Sequence, residues 1–250
     1  MISRQESDSS LRTELEVQGF SLHASAVSQA DLATLLNAST VSIAANQQHS
    51  ETYAVRNLLA VNESLARLLN TVGVTAIATA ALGVQSVPLD ATYFDKNSKT
   101  NWKVPAHQDL VIPATATSST TPRIERYGTT YTEPPTEFLR QLVALRIHFD
   151  DCPIDNGALA VVPSSHHDKL GDAGLSAISQ NAFTPCAARA GDILLMKPML
   201  VHRSSPAVQP HHRRVLHVLY GPVQDAPASE VTTPACGSTS PLSGTQGNRA

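Results

Sequence analysis

Two regimes of hydrophobic patterning divide this chain. In roughly its first third, apolar residues recur at helical spacing. Leu32, Leu35 and Leu36 share one face of a helix predicted to start at Ser28 as N-cap and to run to about Asn37. Leu58 and Leu59, then Leu65, Leu68 and Leu69, repeat the spacing, with an irregular continuation over 72–82 and Gly83 as a stop. Residues 15–22 alternate instead, residues 1–10 are a polar lead-in expected to be weakly ordered, and 40–52 are polar and helix-poor. From Val87 onward the period changes to short strand-like runs: 87–94, 104–112, 142–149, 159–162, 192–196, the flanks of Val201, and 215–220. Turn chemistry separates them, as in Asp155-Asn156-Gly157, Lys169-Leu170-Gly171-Asp172 and Ala190-Gly191-Asp192. Helices followed by many short strands predict an α+β chain, mainly β, whose core is an antiparallel jelly roll or sandwich over about 85–222 on an N-terminal helical support.

Two stretches fall outside this pattern. Residues 113–137 are rich in Thr, Ser and Pro, and a loop of that length in a compact domain is expected to be an active-site lid or disordered. Residues 226–250 carry few large apolar side chains and are expected, like 1–10, to be flexible. The whole, 1–250, is expected to form a single domain, since 250 residues suffice for one well-buried core.

Composition narrows the function classes. A formal net charge of −3 gives no basic footprint, so nucleic acid is not an expected partner. The three cysteines, Cys152, Cys186 and Cys236, are odd in number and lack Cys-x-x-Cys spacing, which implies neither a disulfide framework nor a thiolate metal cluster and suits a reducing cytoplasm. No apolar run is long enough to span a bilayer and residues 1–10 hold no signal-peptide core, so no membrane partner is expected.

The candidate chemistry begins at His107-Gln108-Asp109. In an extended strand His107 and Asp109 project from one face and Gln108 from the other, which supplies two thirds of the two-histidine, one-carboxylate triad that holds non-haem Fe(II). Alone, such a triplet is more often a surface pair. Among the 10 histidines, His202 is the best third ligand, because it ends the apolar run 193–201 beside a turn. Arg213 lies 213 − 202 = 11 positions further on, at the start of a strand that can return alongside it. Iron held by three protein groups has room for a bidentate 2-oxo acid and O2, and an arginine fork suits the far end of a dicarboxylate. Arg214 faces the other way, toward solvent or a surface carboxylate. His148 and His217 alternate within strands, as pocket-lining or as hydrogen-bonded core residues.

With these residues in place, the chain resembles the phytanoyl-CoA dioxygenase family of Fe(II)- and 2-oxoglutarate-dependent oxygenases. Three runs carry the likeness: 101–109, 150–166, and 191–196 through His202, in that order. The resemblance implies a double-stranded β-helix (jelly-roll, cupin-like) core, with His107, Asp109 and His202 as iron ligands and Arg213 on the distal carboxylate of 2-oxoglutarate. It also implies a role for the Ser204 hydroxyl at that carboxylate. Ala106, Ala160 and Ser164 depart from the family pattern without removing a ligand, so they bear on the shape of the pocket.

The expected activity is oxidation, most simply hydroxylation, of an unactivated C–H of a small molecule such as a natural-product or amino-acid-derived intermediate, with release of succinate and CO2. The resemblance also implies that halogenation is not the expected reaction, because halogenating relatives lack the carboxylate that Asp109 supplies here. The residues of the 113–137 stretch expected to face substrate are Arg123, Arg126, Tyr127 and Tyr131, with Lys103 at the mouth. Two other classes use the same residues: a zinc-dependent hydrolase, which has no need of Arg213, and a non-catalytic jelly-roll binding protein.

Overall fold

The computed structural model describes residues 4–45, 54–117, 121–126, 128–208 and 210–223. The helical part comprises α1 (Arg4–Gln18), β1 (Phe20–His23), α2 (Gln29–Ala45), β2 (Ala54–Val55), α3 (Leu58–Val61), α4 (Glu63–Thr71) and α5 (Val74–Leu82). The β part comprises β3 (Ser86–Lys96), β4 (Val104–His107), β5 (Ile112–Pro113), β6 (Arg123–Arg126), β7 (Thr129–Thr132), α6 (Thr136–Arg140), β8 (Val143–His148) and β9 (Leu159–Val161). It continues through α7 (Asp172–Ala177), β10 (Thr184–Cys186), β11 (Ile193–Met196), β12 (His202–Ser204) and β13 (Arg213–Pro222).

Local chemistry explains the helix ends. Ser28 Oγ accepts from Asp31 N at 3.2 Å and donates to the Asp31 carboxylate at 2.6 Å, a reciprocal cap that starts α2 where the sequence predicts. The helix runs on to Ala45, past the polar residues expected to end it. Asn62 caps α4 through Ser64 N, and Gly83 closes α5 with its N–H on Thr79 O.

The alternation over 15–22 turns out to be two elements. Most of the lead-in expected to be weakly ordered is helical from Arg4, and α1 extends to Gln18 before Gly19 turns the chain into β1. Gly19 has φ +80°, and a Cβ there would lie 2.5 Å from His166 Nδ1 and 2.8 Å from Leu200 Cδ1, so only glycine fits this corner.

The strands form two facing antiparallel sheets, the jelly roll expected, with order β1-β11-β8-β13-β3-β2 in the larger and β10-β9-β12-β4 in the smaller. Alternation along each strand divides the core. Val143, Leu145 and Ile147 of β8, with Leu216 and Val218 of β13, point outward, where they pack against Leu15, Leu35, Leu65, Leu69 and Val74 of the helices. Ala144 of β8, Leu194 and Met196 of β11 and Leu219 of β13 point inward, against Leu159 and Val161 of the smaller sheet. The helices therefore seal one face of the large sheet, and its other face lines the interior of the roll.

Two strand expectations need correction. The run 104–112 is interrupted: β4 stops at His107 and residues 108–111 leave the sheet, because Asp109 N bonds Pro198 O at 2.8 Å instead of a strand neighbour. The stretch 113–137 is not a structureless loop, since β5, β7 and β6 form a small antiparallel sheet within it and α6 follows. Its Thr residues supply β-propensity and hydrogen bonds, as where Thr132 Oγ1 donates to Pro122 O. Tyr127, the 226–250 tail and Cys236 lie outside the described residues. Cys152 and Cys186 are buried free thiols. Among the described residues no single helix is long and apolar enough to cross a membrane.

Candidate metal and co-substrate site

Pairing of β4 with β12 sets His107 directly opposite His202 in the register of the small sheet. Their ring centroids lie 4.1 Å apart. Asp109, although beyond the strand end, turns back between them, with Oδ1 3.6 Å from His107 Nε2 and Oδ2 3.7 Å from His202 Nε2. One ligand atom from each of the three residues lies within 4.8 Å of the others. The sequence expected this convergence from strand alternation, but the turn after β4 produces it. Gln108 holds that turn: its Nε2 donates to Asp168 O at 2.8 Å and Met199 O at 2.5 Å, while its Oε1 accepts from Leu170 N at 2.8 Å.

The donor set fits a divalent metal. His107 Nδ1 lies 2.9 Å from Pro105 O and His202 Nδ1 lies 2.9 Å from Leu200 O. Each carbonyl can only accept, so Nδ1 carries the proton in both rings and both Nε2 lone pairs face Asp109. Burial pushes His202 down to about 4, which keeps it neutral. Desolvation acts to raise the Asp109 carboxyl, but His202 and His107, in their protonated forms, and the Arg146 guanidinium outweigh it and hold the group below its ordinary value. Two imidazoles whose Nε2 atoms turn toward one carboxylate, with one side open to a cavity, make a facial donor set.

That cavity has a volume of about 430 Å³ and lies between the two sheets. At the end where β13 begins, Arg213 is buried at 8% exposure and pairs in register with Lys96, the last residue of β3. Lys96 Nζ donates to Ser204 Oγ at 2.9 Å and Trp102 O at 2.8 Å, and sits 4.4 Å from the Trp102 ring centroid. Burial first, then Arg213 and Arg146, lower Lys96 to about 7. Gly157 makes room for Arg213: it has φ +70°, and a Cβ there would lie 2.5 Å from Ser205 O and 3.1 Å from Arg213 Nη1. Arg214 faces outward, and its Nε and Nη2 clamp the two oxygens of Asp150 at 2.8 and 2.5 Å.

The structure thus brings His107, Asp109, His202, Ser204 and Arg213 to one cavity. It also adds residues that the sequence did not single out: Lys96, Arg146, Asp90 and Arg56. For Lys96 a signal exists, as the residue that ends the strand antiparallel to Arg213, but only once the pairing of β3 with β13 is known. Of the pocket candidates, His217, Lys103 and Tyr131 border the cavity, whereas Arg123 and Arg126 are exposed on β6 and are not in its wall. His148 is buried with its backbone bonded to Asp192 and Gly191.

A jelly roll with two histidines and a carboxylate facing its cavity carries the donor set of the non-haem iron oxygenases. The phytanoyl-CoA dioxygenase (PhyH) family profile matches residues 16–215, and the chain belongs to that family. It is accordingly an oxygenase dependent on Fe(II), 2-oxoglutarate and O2. Comparison with curated proteins finds no match.

Among solved structures, the epimerase SnoN from nogalamycin biosynthesis, in complex with Fe3+, alpha-ketoglutarate and nogalamycin RO, superposes with a TM-score of 0.66 at 16% identity, covering 95% of this chain and 96% of that one. The alpha-ketoglutarate-dependent carbocyclase SnoK from the same biosynthesis gives 0.64 at 15% identity, covering 88% and 84%. EctD from S. alaskensis, solved with 2-oxoglutarate and 5-hydroxyectoine, gives 0.65 at 16% identity, covering 90% and 77%. At these identities the likeness establishes the fold.

Proposed function

We propose that the enzyme hydroxylates an unactivated C–H of a small molecule, with His107, Asp109 and His202 as the iron ligands and Arg213, Ser204 and Lys96 as the anchor of 2-oxoglutarate. The observation that carries this reading is the pairing of the two clusters in one cavity: three convergent metal donors, and a buried guanidinium and ammonium on a shared wall. When bound, iron supplies the coupled decarboxylation of 2-oxoglutarate to succinate and CO2 and the oxidation of substrate by O2.

The protein's part is orientation and exclusion of water. The carbonyls of Pro105 and Leu200 fix the two imidazoles, and Gln108 fixes the turn that carries Asp109. Arg213 presents a planar two-donor edge to the distal carboxylate, while Lys96 adds a second charge and is itself oriented by Ser204. The apolar wall of Ile112, Ala144, Leu159 and Leu219 keeps the cavity dry on the side facing the core. A small-molecule substrate fits this volume, in keeping with the nogalamycin and ectoine compounds of the solved relatives. A hydrolytic zinc enzyme leaves the Arg213, Lys96 and Ser204 cluster without a task.

Anaerobic addition of Fe(II) and 2-oxoglutarate should produce a weak visible charge-transfer band. It should vanish in His107→Ala and Asp109→Ala and require much more 2-oxoglutarate in Arg213→Ala. A folded, iron-loaded protein that shows no band would overturn the reading.

A further inference from the structure

The cavity holds more positive charge than the co-substrate uses. Arg56, Lys96, Lys103, Arg146 and Arg213 border it, against the carboxylates of Asp90 and Asp109 among the described residues. Arg213 and Lys96 serve the distal carboxylate under the function proposed above, on which this inference rests. Lys103 is exposed at the mouth, and Arg56 lies close enough to Asp90 to lower its carboxyl. The charge of Asp109 is committed to the metal. Arg146 remains.

Arg146 projects inward from the middle of β8, in one row across the large sheet with His217 of β13 and Thr92 of β3. Its Nη1 lies 3.2 Å from His217 Nδ1, and its Cζ lies 5.8 Å from the Phe94 ring centroid. Burial pushes His217 down to about 3, so the imidazole is a neutral acceptor and no counter-ion. Arg146 Nε is buried without a hydrogen-bond partner, and among the described residues Arg146 makes no ion pair. Arg146 is half-buried, and a bare N–H buried on a guanidinium is costly unless a ligand completes it. With Nη1 at His217, the Nε–Nη2 side has no hydrogen-bond acceptor among the described residues, and its two parallel donors have the geometry of one carboxylate.

Its position points the same way. Arg146 is near enough to Asp109 for each to bear on the other's ionisation, and it stands opposite His217, four residues along β13 from Arg213. A 2-oxo acid that chelates the metal spends its near carboxylate there and its far one on Arg213. We infer that Arg146 is a substrate-specificity residue, and that the substrate carries a carboxylate which docks on its Nε–Nη2 edge against Phe94. The enzyme then selects an acid and holds it beside the metal by its charged end.

The test uses the full chain loaded with Ni(II) and N-oxalylglycine, the unreactive analogue of 2-oxoglutarate, titrated calorimetrically with benzoate and with its neutral isostere benzamide. Benzoate should bind at least tenfold more tightly than benzamide. Arg146→Gln should abolish that preference while leaving N-oxalylglycine affinity within twofold, and Arg146→Lys should restore part of it. Equal binding of benzoate and benzamide to the wild type overturns the inference without needing any variant. So does benzoate binding that survives Arg146→Gln, or a loss of N-oxalylglycine affinity in that variant, which would assign Arg146 to the co-substrate. The charge-transfer band of the wild type with Fe(II) and 2-oxoglutarate is independent of these results, so its presence beside a failed benzoate test removes only this inference.

Discussion

Lys96 Nζ donates to Ser204 Oγ at 2.9 Å, joining the end of β3 in the large sheet to the end of β12 in the small one. The bond sits beside Arg213, so two cations share a buried wall, and among the described residues no carboxylate lies between them. Under the proposed function, the 2-oxoglutarate dianion completes that wall. Lys96→Met should therefore raise the Kd for 2-oxoglutarate at least tenfold while changing Fe(II) affinity by less than twofold. Ser204→Ala, which removes a single hydrogen bond, should cost about two- to tenfold. Titration of the charge-transfer band with 2-oxoglutarate measures both.

The same lysine predicts a pH dependence. Burial lowers Lys96 to about 7, and in the proposed anchor the dianion binds its charged form. As pH rises through about 7 the free enzyme loses that charge, so 2-oxoglutarate affinity should fall, approaching tenfold per pH unit well above that value. In Lys96→Met the decline should be absent between pH 7 and 9. A wild-type affinity that is flat over this range would contradict the assignment of Lys96 to the anchor.

Much of this site was legible in the sequence, for identifiable reasons. His107, Asp109, His202 and Arg213 carry chemistry that few other patterns explain, and the turn residues between the short strands mark a jelly roll. What was not legible depends on pairings between distant segments. Lys96 acquires meaning only from its register with Arg213, and Arg146 only from its place opposite His217. The break in the strand after His107 was hidden because 104–112 is apolar enough to read as continuous, while the bond that interrupts it comes from Pro198. Likewise the composition of 113–137 reads as loop, yet pairing of β5, β6 and β7 gives it a sheet.

Gly157 offers a stability test tied to function. With φ +70° and Ser205 O only 2.5 Å from the position of a Cβ, Gly157→Ala should destabilise the fold by about 1–3 kcal/mol. The added methyl also presses on Arg213 Nη1, so the variant should lose 2-oxoglutarate affinity even at temperatures where it is fully folded. Thermal melts and band titration separate the two effects.

Gln108 connects the proposed metal ligands to the body of the protein through three hydrogen bonds to backbone groups. In Gln108→Ala the Leu170 N–H and the Met199 and Asp168 carbonyls lose their partner, a cost of about 1–3 kcal/mol per group left buried. Release of the turn should let Asp109 drift from the histidines. Fe(II) affinity should fall at least tenfold, whereas the proposed anchor of 2-oxoglutarate stays in place. Unchanged metal affinity in a destabilised variant would restrict Gln108 to a folding role.

Asp90 gives a prediction of opposite sign to most carboxylates. It lies in the cavity wall with Oδ1 buried and without a hydrogen-bond partner. Burial raises its pKa to about 6, against a lesser opposing effect from its hydrogen bond with the Ala91 backbone and from Arg56. A carboxyl raised on folding is bound to its proton more tightly in the native state. Its contribution to stability is therefore fully present below the unfolded value near 4, and is lost as pH rises through about 6. Asp90→Asn keeps the shape and removes the charge, so it should stabilise the ligand-free protein by about 1–3 kcal/mol at pH 7.5 and by nearly nothing at pH 3.5. Urea unfolding of both proteins between pH 3.5 and 8 gives the difference curve. If Asn destabilises the protein at pH 7.5, the ionised Asp90 is instead held by Arg56, and the pair is a structural element of the cavity wall.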